Sequence, residues 1–328
     1  MDASLETNHI ALLLHQAKAS GNTVLFKLPI RRGSEPPLQW KDVTFAEFAA
    51  NVNKVAGFVA TELTARDIPP HSVVTLLFSG YQYQHVVYAI ALARASYVPQ
   101  LISGDSLTTP RVIFLLAEQA GSKIILYDLA YEDRTADCPY PKMILSPIEA
   151  IESRSSIDSD AALPQIEHLS SDGSDLAFIS LTSGSTSGSP KLVPFTQKSI
   201  SAQHKTEFGR LLDGKSFDST QDAFPARGNI CWSSQLVQYV GCLYTKSCIV
   251  MPSKTPYSTE ELSNMVNACG LNHIATFGTW LLPHIQAAKN DPMVLKLLQD
   301  MRTISYGGTT IPVGDDEWCF QHGIPLIV

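Results

Sequence analysis

The chain has 328 residues, 45% of them hydrophobic, which supplies one large core or two modest ones and excludes a disordered or fibrous protein. Its formal charge of −7 is spread along the sequence with no Lys/Arg cluster able to neutralise a row of phosphates, which argues against nucleic acid as a partner. The six cysteines form no CxxC pair and read as buried free thiols of a reducing compartment. The first residues lack a basic leader, and no apolar run approaches the roughly 20 residues of a membrane span, so no membrane partner and a cytoplasmic location are expected.

In chain order, Thr44 and Glu47 form a capping-box pair, and Phe48, Val52, Val55, Ala56 and Val59 recur at helical spacing, so a helix over about 45–65 is expected. Pro69 and Pro70 close it. The run Val73-Val74-Thr75-Leu76-Leu77-Phe78 reads as a buried strand, followed by a helix over 84–95, a strand near 97–102, a helix over 109–120 and a strand at 123–127. Continuously apolar strands alternating with helices predict an α/β fold with a parallel sheet covered on both faces.

The stretch 151–175 is rich in Ser and Asp and poor in large apolar side chains. It is expected as a surface connection between a first α/β subdomain, 1–150, and a second, 176–328. The second series runs strand 176–181, a Gly/Ser loop, helix 196–211, strand 248–251, helix 259–269 and strand 273–276. Two helices up to Asp300 and strand 303–306 then precede Gly307-Gly308. The strand-like end at 324–328 is read as a cut-off, leaving the second subdomain incomplete at its C-terminus.

The strongest chemical signal is Leu181-Thr182-Ser183-Gly184-Ser185-Thr186-Ser187-Gly188-Ser189-Pro190-Lys191, directly after a buried strand. Glycines free the backbone to turn N–H groups toward an anion, hydroxyls add donors, and Lys191 adds a positive charge, so the loop suits a polyphosphate. A flexible Ser/Gly connection is the plain alternative. A Walker loop places its lysine immediately after the glycine, whereas Ser189 and Pro190 separate Gly188 from Lys191 here. The GxSxG nucleophile elbow fails as well, because Thr186 stands at its centre.

Thr182-Ser183-Gly184-Ser185-Thr186 followed by Gly188-Ser189-Pro190-Lys191 resembles the core motif of the adenylate-forming (AMP-binding) superfamily: acyl-CoA ligases, peptide synthetase adenylation domains and fungal adenylate-forming reductases. Thr44 to Phe48, Pro69 to Phe78 and Ala89 to Pro99 are similar to early segments of that family. Ile304-Ser305-Tyr306-Gly307-Gly308-Thr309-Thr310-Ile311-Pro312 looks like its paired-glycine motif. Ser187 stands as one residue in excess of the family loop, and Cys231-Trp232-Ser233-Ser234 falls where many relatives carry His-x-x-Gly.

The resemblance implies a large N-terminal lobe of two parallel-sheet αβαβα layers, without the family's small C-terminal lid and its catalytic lysine. It implies ATP and Mg²⁺ as cofactors and a small carboxylic acid as substrate, activated as its acyl-adenylate. Thr182, Ser183, Gly184, Ser185, Thr186, Gly188 and Lys191 would hold the β- and γ-phosphates, with Thr186 and Lys191 nearest the catalysis. Gly307, Gly308 and Thr309 would border adenine and acyl group. Phe277 and Gly278 would open the helix beside an aromatic or aliphatic acid, against the alternative of ordinary core packing for Phe277.

CoA, a carrier protein or a separate chain supplying the lid are the implied partners, and fungal specialised metabolism the implied setting. The competing readings are a non-catalytic remnant that binds nucleotide and an amidase-type Ser/Gly-loop hydrolase, the latter lacking a lysine close before Ser183.

Overall fold

The computed structural model describes residues 8–106, 109–152, 163, 173–182, 190–203 and 222–327. Helix α1 (His9–Ala19) leads into the antiparallel strands β1 (Val24–Pro29) and β2 (Trp40–Thr44) and helix α2 (Phe45–Thr64). Then follow β3 (Val73–Phe78), α3 (Tyr83–Arg94), β4 (Val98–Ser103), α4 (Pro110–Gln119), β5 (Ile124–Tyr127), β6 (Lys142–Ile144) and α5 (Ile148–Glu152). Next come β7 (Leu176–Leu181), β8 (Leu192–Thr196), β9 (Ala223–Pro225), α6 (Ser233–Thr245), β10 (Cys248–Val250), α7 (Thr259–Cys269) and β11 (His273–Phe277). Helices α8 (Gly278–Ala288) and α9 (Pro292–Gln299), strand β12 (Thr303–Gly307), α10 (Val313–Gln321) and β13 (Leu326–Ile327) complete the described chain.

Two compact units form, and they interleave along the sequence. The first takes Met1–Gly21, Ala46–Ala202 and Asn229–Val237, and the second takes Asn22–Phe45, Gln203–Gly228 and Gln238–Val328. The linear division at 151–175 therefore does not describe the compact units: β7 and β8 join the sheet of β3 to β6, while β1 pairs with β10, and β2 with β1, in the second unit. A strand goes to the edge it can hydrogen-bond, whatever its distance along the chain.

The first unit is built on a six-stranded sheet of order β6-β5-β3-β4-β7-β8, parallel except for the antiparallel pair β7/β8. Strand β3 is buried from Val74 to Phe78, as expected of a strand covered on both faces. Ile113, Leu116 and Ala117 of α4 pack against Leu77, Ile102 and Ile125 of the sheet. On α2, Phe48, Val52, Val55, Ala56, Val59 and Leu63 are fully buried at helical spacing, and burial of each large member contributes about 1.5–3 kcal/mol.

The second unit holds a four-stranded sheet, β2-β1-β10-β9, and a parallel three-stranded one, β11-β12-β13. Its core joins Val250, Leu262, Met265, Ile274, Leu281, Ile285, Leu298 and Ile304. Helix α7 has Ser258 as N-cap, accepting from the Glu261 N–H at 3.1 Å, and Gly270 at φ +68° as its left-handed C-cap.

The helix expected over 196–211 begins one residue later than 196, and the structure describes it only through 203. Before it, Leu192–Thr196 is strand, because it pairs with β7. Most of 151–175 and all of 204–221 lie outside the described residues. All six cysteines are free, and five are buried. Desolvation pushes the Cys248 and Cys269 thiols up to about 12, which leaves them protonated and unreactive at neutral pH. Among the described residues, no helix is long and apolar enough to cross a membrane.

Candidate functional site

Two groups of expected site residues occur, one in each unit. In the first unit the antiparallel ladder of β7 and β8 shifts register between Leu176 and Phe178 and then pairs regularly from Phe178 opposite Phe195 to Leu181 opposite Leu192. One step beyond, the Thr182 N–H donates to the Lys191 carbonyl at 3.0 Å, and the Lys191 N–H donates to Thr182 Oγ1 at 3.3 Å. The first and last residues of the Ser/Gly segment are thus held together, on a strand whose residues 177–180 are buried. The Thr182 hydroxyl oxygen accepts this bond, and its O–H remains available as a donor. Lys191 is exposed. Ser183, Gly184, Ser185, Thr186, Ser187, Gly188 and Ser189 lie outside the described residues.

In the second unit the structure brings Phe277, Gly278, Gly307, Gly308 and Thr309 together. Parallel pairing of β11 and β12 sets Phe277 opposite Gly307. Gly308 has φ +71°, and a Cβ there would lie 2.7 Å from the Phe277 ring, so the conformation and the close approach both require glycine. A Cβ on Gly278 would lie 2.3 Å from the Thr309 carbonyl oxygen. The Thr279 N–H donates to Thr309 Oγ1 at 3.0 Å, and that hydroxyl lies 3.3 Å from Thr279 Oγ1. Phe277 is half-buried and meets Trp280 edge-on at 4.9 Å, so its ring serves packing within the unit as well as any ligand. These residues stand at the C-terminal ends of parallel strands, the end at which open α/β sheets bind ligands.

Two polar clusters escaped the sequence reading. At the C-terminal ends of β3 and β5, buried His85 accepts from the Gly80 N–H at Nδ1 (3.2 Å) and faces Asp128 Oδ2 through Nε2 (3.0 Å). The proton therefore sits on Nε2. Its hydrogen bond holds the Asp128 carboxyl below the ordinary range.

At the opposite, N-terminal ends of β11 and β12, His273 lies between Thr303 Oγ1 (2.7 Å) and Asp222 Oδ1 (3.0 Å), and Arg302 also reaches Asp222 at 2.5 Å. This hydroxyl–imidazole–carboxylate series has the composition of a hydrolytic triad. All three members are buried, and they lie at the far end of the strands from Phe277 and Gly307, so the series ties strand ends together. The residues involved are far apart in sequence, and no spacing rule would have found them.

Among the described residues, no group of three His, Cys, Asp or Glu side chains is placed to hold a metal ion.

Residues 15–328 match the family model described as AMP-binding enzyme. The AMP-binding domain-containing enzyme iboA of Amanita muscaria (strain Koide BX008) is 65% identical over 327 residues, covering all of this chain and 62% of that enzyme. The o-succinylbenzoate CoA synthetase (MenE) of Bacillus subtilis, solved with the acyl-adenylate intermediate OSB-AMP, superposes with a TM-score of 0.75 at 17% identity, over 96% of this chain and 57% of that one. The same synthetase in complex with ATP and magnesium ion gives a TM-score of 0.72 at 17% identity, over 96% and 58%. This chain therefore spans about three fifths of the length of these relatives, and at such identity the synthetases speak for the fold alone. Family match and fold agree with the loop and paired-glycine motifs, and the chain belongs to the AMP-binding enzyme family.

Proposed function

We propose that this chain forms the nucleotide-binding lobe of an enzyme that activates a carboxylic acid as its acyl-adenylate, in fungal specialised metabolism. The observation that carries the reading is the closure of the Ser/Gly segment by Thr182 and Lys191 at the end of a buried strand, in a chain of this family. In such a reaction a carboxylate oxygen attacks the α-phosphorus of ATP in line, the bond to the β-phosphate oxygen breaks, and pyrophosphate leaves with the electron pair. Catalysis is alignment and charge stabilisation, with no proton to move.

Lys191, the Thr182 hydroxyl, and the hydroxyls and backbone N–H groups of Ser183, Gly184, Ser185, Thr186 and Gly188 hold the β- and γ-phosphates. Gly307, Gly308 and Thr309 border the adenine and acyl groups, and Phe277 and Gly278 the acid. Mg²⁺ bound with the nucleotide would supply further neutralisation of phosphate charge. The aromatic Phe277–Trp280 pair supports an aryl or aliphatic acid. CoA or a carrier protein is proposed as the acceptor from the family resemblance alone. The Amanita muscaria relative supports the fungal setting.

The first test is calorimetric titration of the 328-residue chain with MgATP. Lys191→Ala is expected to weaken binding by about 1.5–3 kcal/mol, the worth of a hydrogen bond to a charged group. Equal affinity of the two proteins would refute the role of Lys191. Acid-dependent ATP–pyrophosphate exchange, with and without the part of the Amanita relative that this chain does not span, tests the activity. Exchange with no member of a panel of aryl, aliphatic and amino acids under either condition would leave the nucleotide-binding remnant as the correct reading.

A further inference from the structure

Asn229 is fully buried and its carboxamide is used throughout. Nδ2 donates to the Ser79 carbonyl (2.5 Å), after β3, and to Ser103 Oγ (2.8 Å), at the end of β4. Oδ1 accepts the Cys231 N–H at 2.8 Å. The backbone repeats the link, with the Ile230 N–H donating to the Gly80 carbonyl at 2.9 Å. One residue on, the Cys231 carbonyl accepts from Ser180 Oγ at 2.5 Å, and Ser180 lies on β7 two positions before Thr182.

Gly80 has φ +84°, and a Cβ there would fall 1.8 Å from Asn229 Oδ1, so the contact leaves no room for a side chain. Trp232, half-buried, then meets Tyr81 edge-on at 6.3 Å. All of these residues belong to the first unit. Segment 229–232 is thereby fastened across the C-terminal ends of three adjacent strands, β3, β4 and β7, and the last of these carries the Ser/Gly segment. A carboxamide with both protons and its oxygen engaged in a dry site fixes backbone in a way no apolar residue can replace.

We propose that Asn229 is a positioning residue of the nucleotide site: by tying Ser79, Ser103 and Cys231 together it holds segment 229–232 against Ser180 and so sets the origin of the phosphate-binding segment at Thr182. The proposal rests on the reading of that segment as a phosphate site, and its test has one arm that does not. The first arm is iodoacetamide labelling followed by peptide mapping. Cys231 is buried, and burial pushes its thiol well above the ordinary range, so it is protected in the native chain.

In Asn229→Ala, Cys231 is expected to label at least ten times faster while Cys242 and Cys248, buried in the second unit, stay protected. Global loss of structure would expose all three together. Ser103→Ala, which removes one of the hydrogen bonds of Asn229 and leaves a small side chain in place, should give a smaller increase of the same selectivity, and it serves if Asn229→Ala does not fold.

The second arm is the dissociation constant for MgATP, measured well below the unfolding transition. It is expected to rise at least ten-fold in Asn229→Ala and less in Ser103→Ala. Unchanged Cys231 labelling in both variants overturns the proposal, as does selective labelling with unchanged MgATP affinity. If the unsubstituted chain binds no MgATP, the functional reading and the positioning role fall together, and labelling then decides only whether Asn229 fastens the segment.

Discussion

Replacing Gly278 with alanine is expected to cost the second unit about 3 kcal/mol, the upper part of the usual range for forcing atoms into a packed site. The reason is geometric. The new Cβ would stand 2.3 Å from the Thr309 carbonyl oxygen and 3.0 Å from the carbonyl carbons of Thr309 and Thr310, and backbone cannot swing aside as a long side chain can. Relief requires the turn after β12 to move away from the start of α8, which breaks the Thr279 N–H bond to Thr309 Oγ1. Urea denaturation followed in the second unit should show the loss, and MgATP affinity should fall with it.

Gly307→Ala is the control. Nothing lies within 4 Å of its added Cβ and its φ is not in the left-handed region, so its midpoint should stay close to that of the native chain. Equal midpoints for Gly278→Ala and the native chain would show that the turn is plastic and that Gly278 does not set its position.

Acidification should weaken both units well before the carboxylates titrate. Buried His9, in the first unit, and buried His284, in the second, are each pulled down to about 4 by desolvation. Burial keeps each ring neutral in the folded chain; the contact of His9 Nδ1 with Gln197 Oε1 at 2.6 Å offsets only part of that effect, and His284 Nδ1 meets Thr259 Oγ1 at 2.9 Å. The unfolded chain takes up a proton near the ordinary pKa of 6.5, so between about 6.5 and 4 the unfolded state binds more protons than the folded one.

Stability therefore rises with pH across that window and is lost as pH falls through it. Each histidine contributes about 1.4 kcal/mol per pH unit, close to 3 kcal/mol over the whole window. Denaturation midpoints at pH 7, 6, 5 and 4 check this, and His9→Phe and His284→Phe should each flatten the profile of one unit only. A profile that is level from pH 7 to 4.5 would mean that both rings reach water in the folded chain. Below that window Asp128, held low by His85, adds a loss of the same sign.

The regular elements were read from sequence where period and boundary agreed. Val73–Phe78, Leu176–Leu181 and Thr259–Cys269 occupy the expected residues, and α2 ends within one residue of the expectation, because a continuous apolar run or a 3.6-residue stripe with caps specifies both element and face. The β1/β2 pair, β9 and α6 were not anticipated. Trp40–Thr44 alternates poorly and carries Lys41 and Asp42, and Ala223–Pro225 is too short to show a period. Their identity as strands comes from neighbours: Phe26 pairs with Ile249, far away along the chain, and Ile249 with Phe224.

For the site the division is similar. The sequence by itself determined the chemistry available: the residue types of the Ser/Gly segment, Lys191 as its cation, and Gly307-Gly308 at the end of a strand. Local residue types dictate which backbone conformations and charges are possible. Only the tertiary structure decided which of these residues meet. It closed Thr182 on Lys191, set Phe277 beside Gly307 and Gly308, used Asn229 to bind the ends of β3 and β4 and the Cys231 carbonyl to bind β7, and buried a hydroxyl–imidazole–carboxylate series where it can only support the fold. Hydrogen bonds between residues remote in sequence follow from strand order and register, which many separate burial choices fix together, and no local motif encodes them.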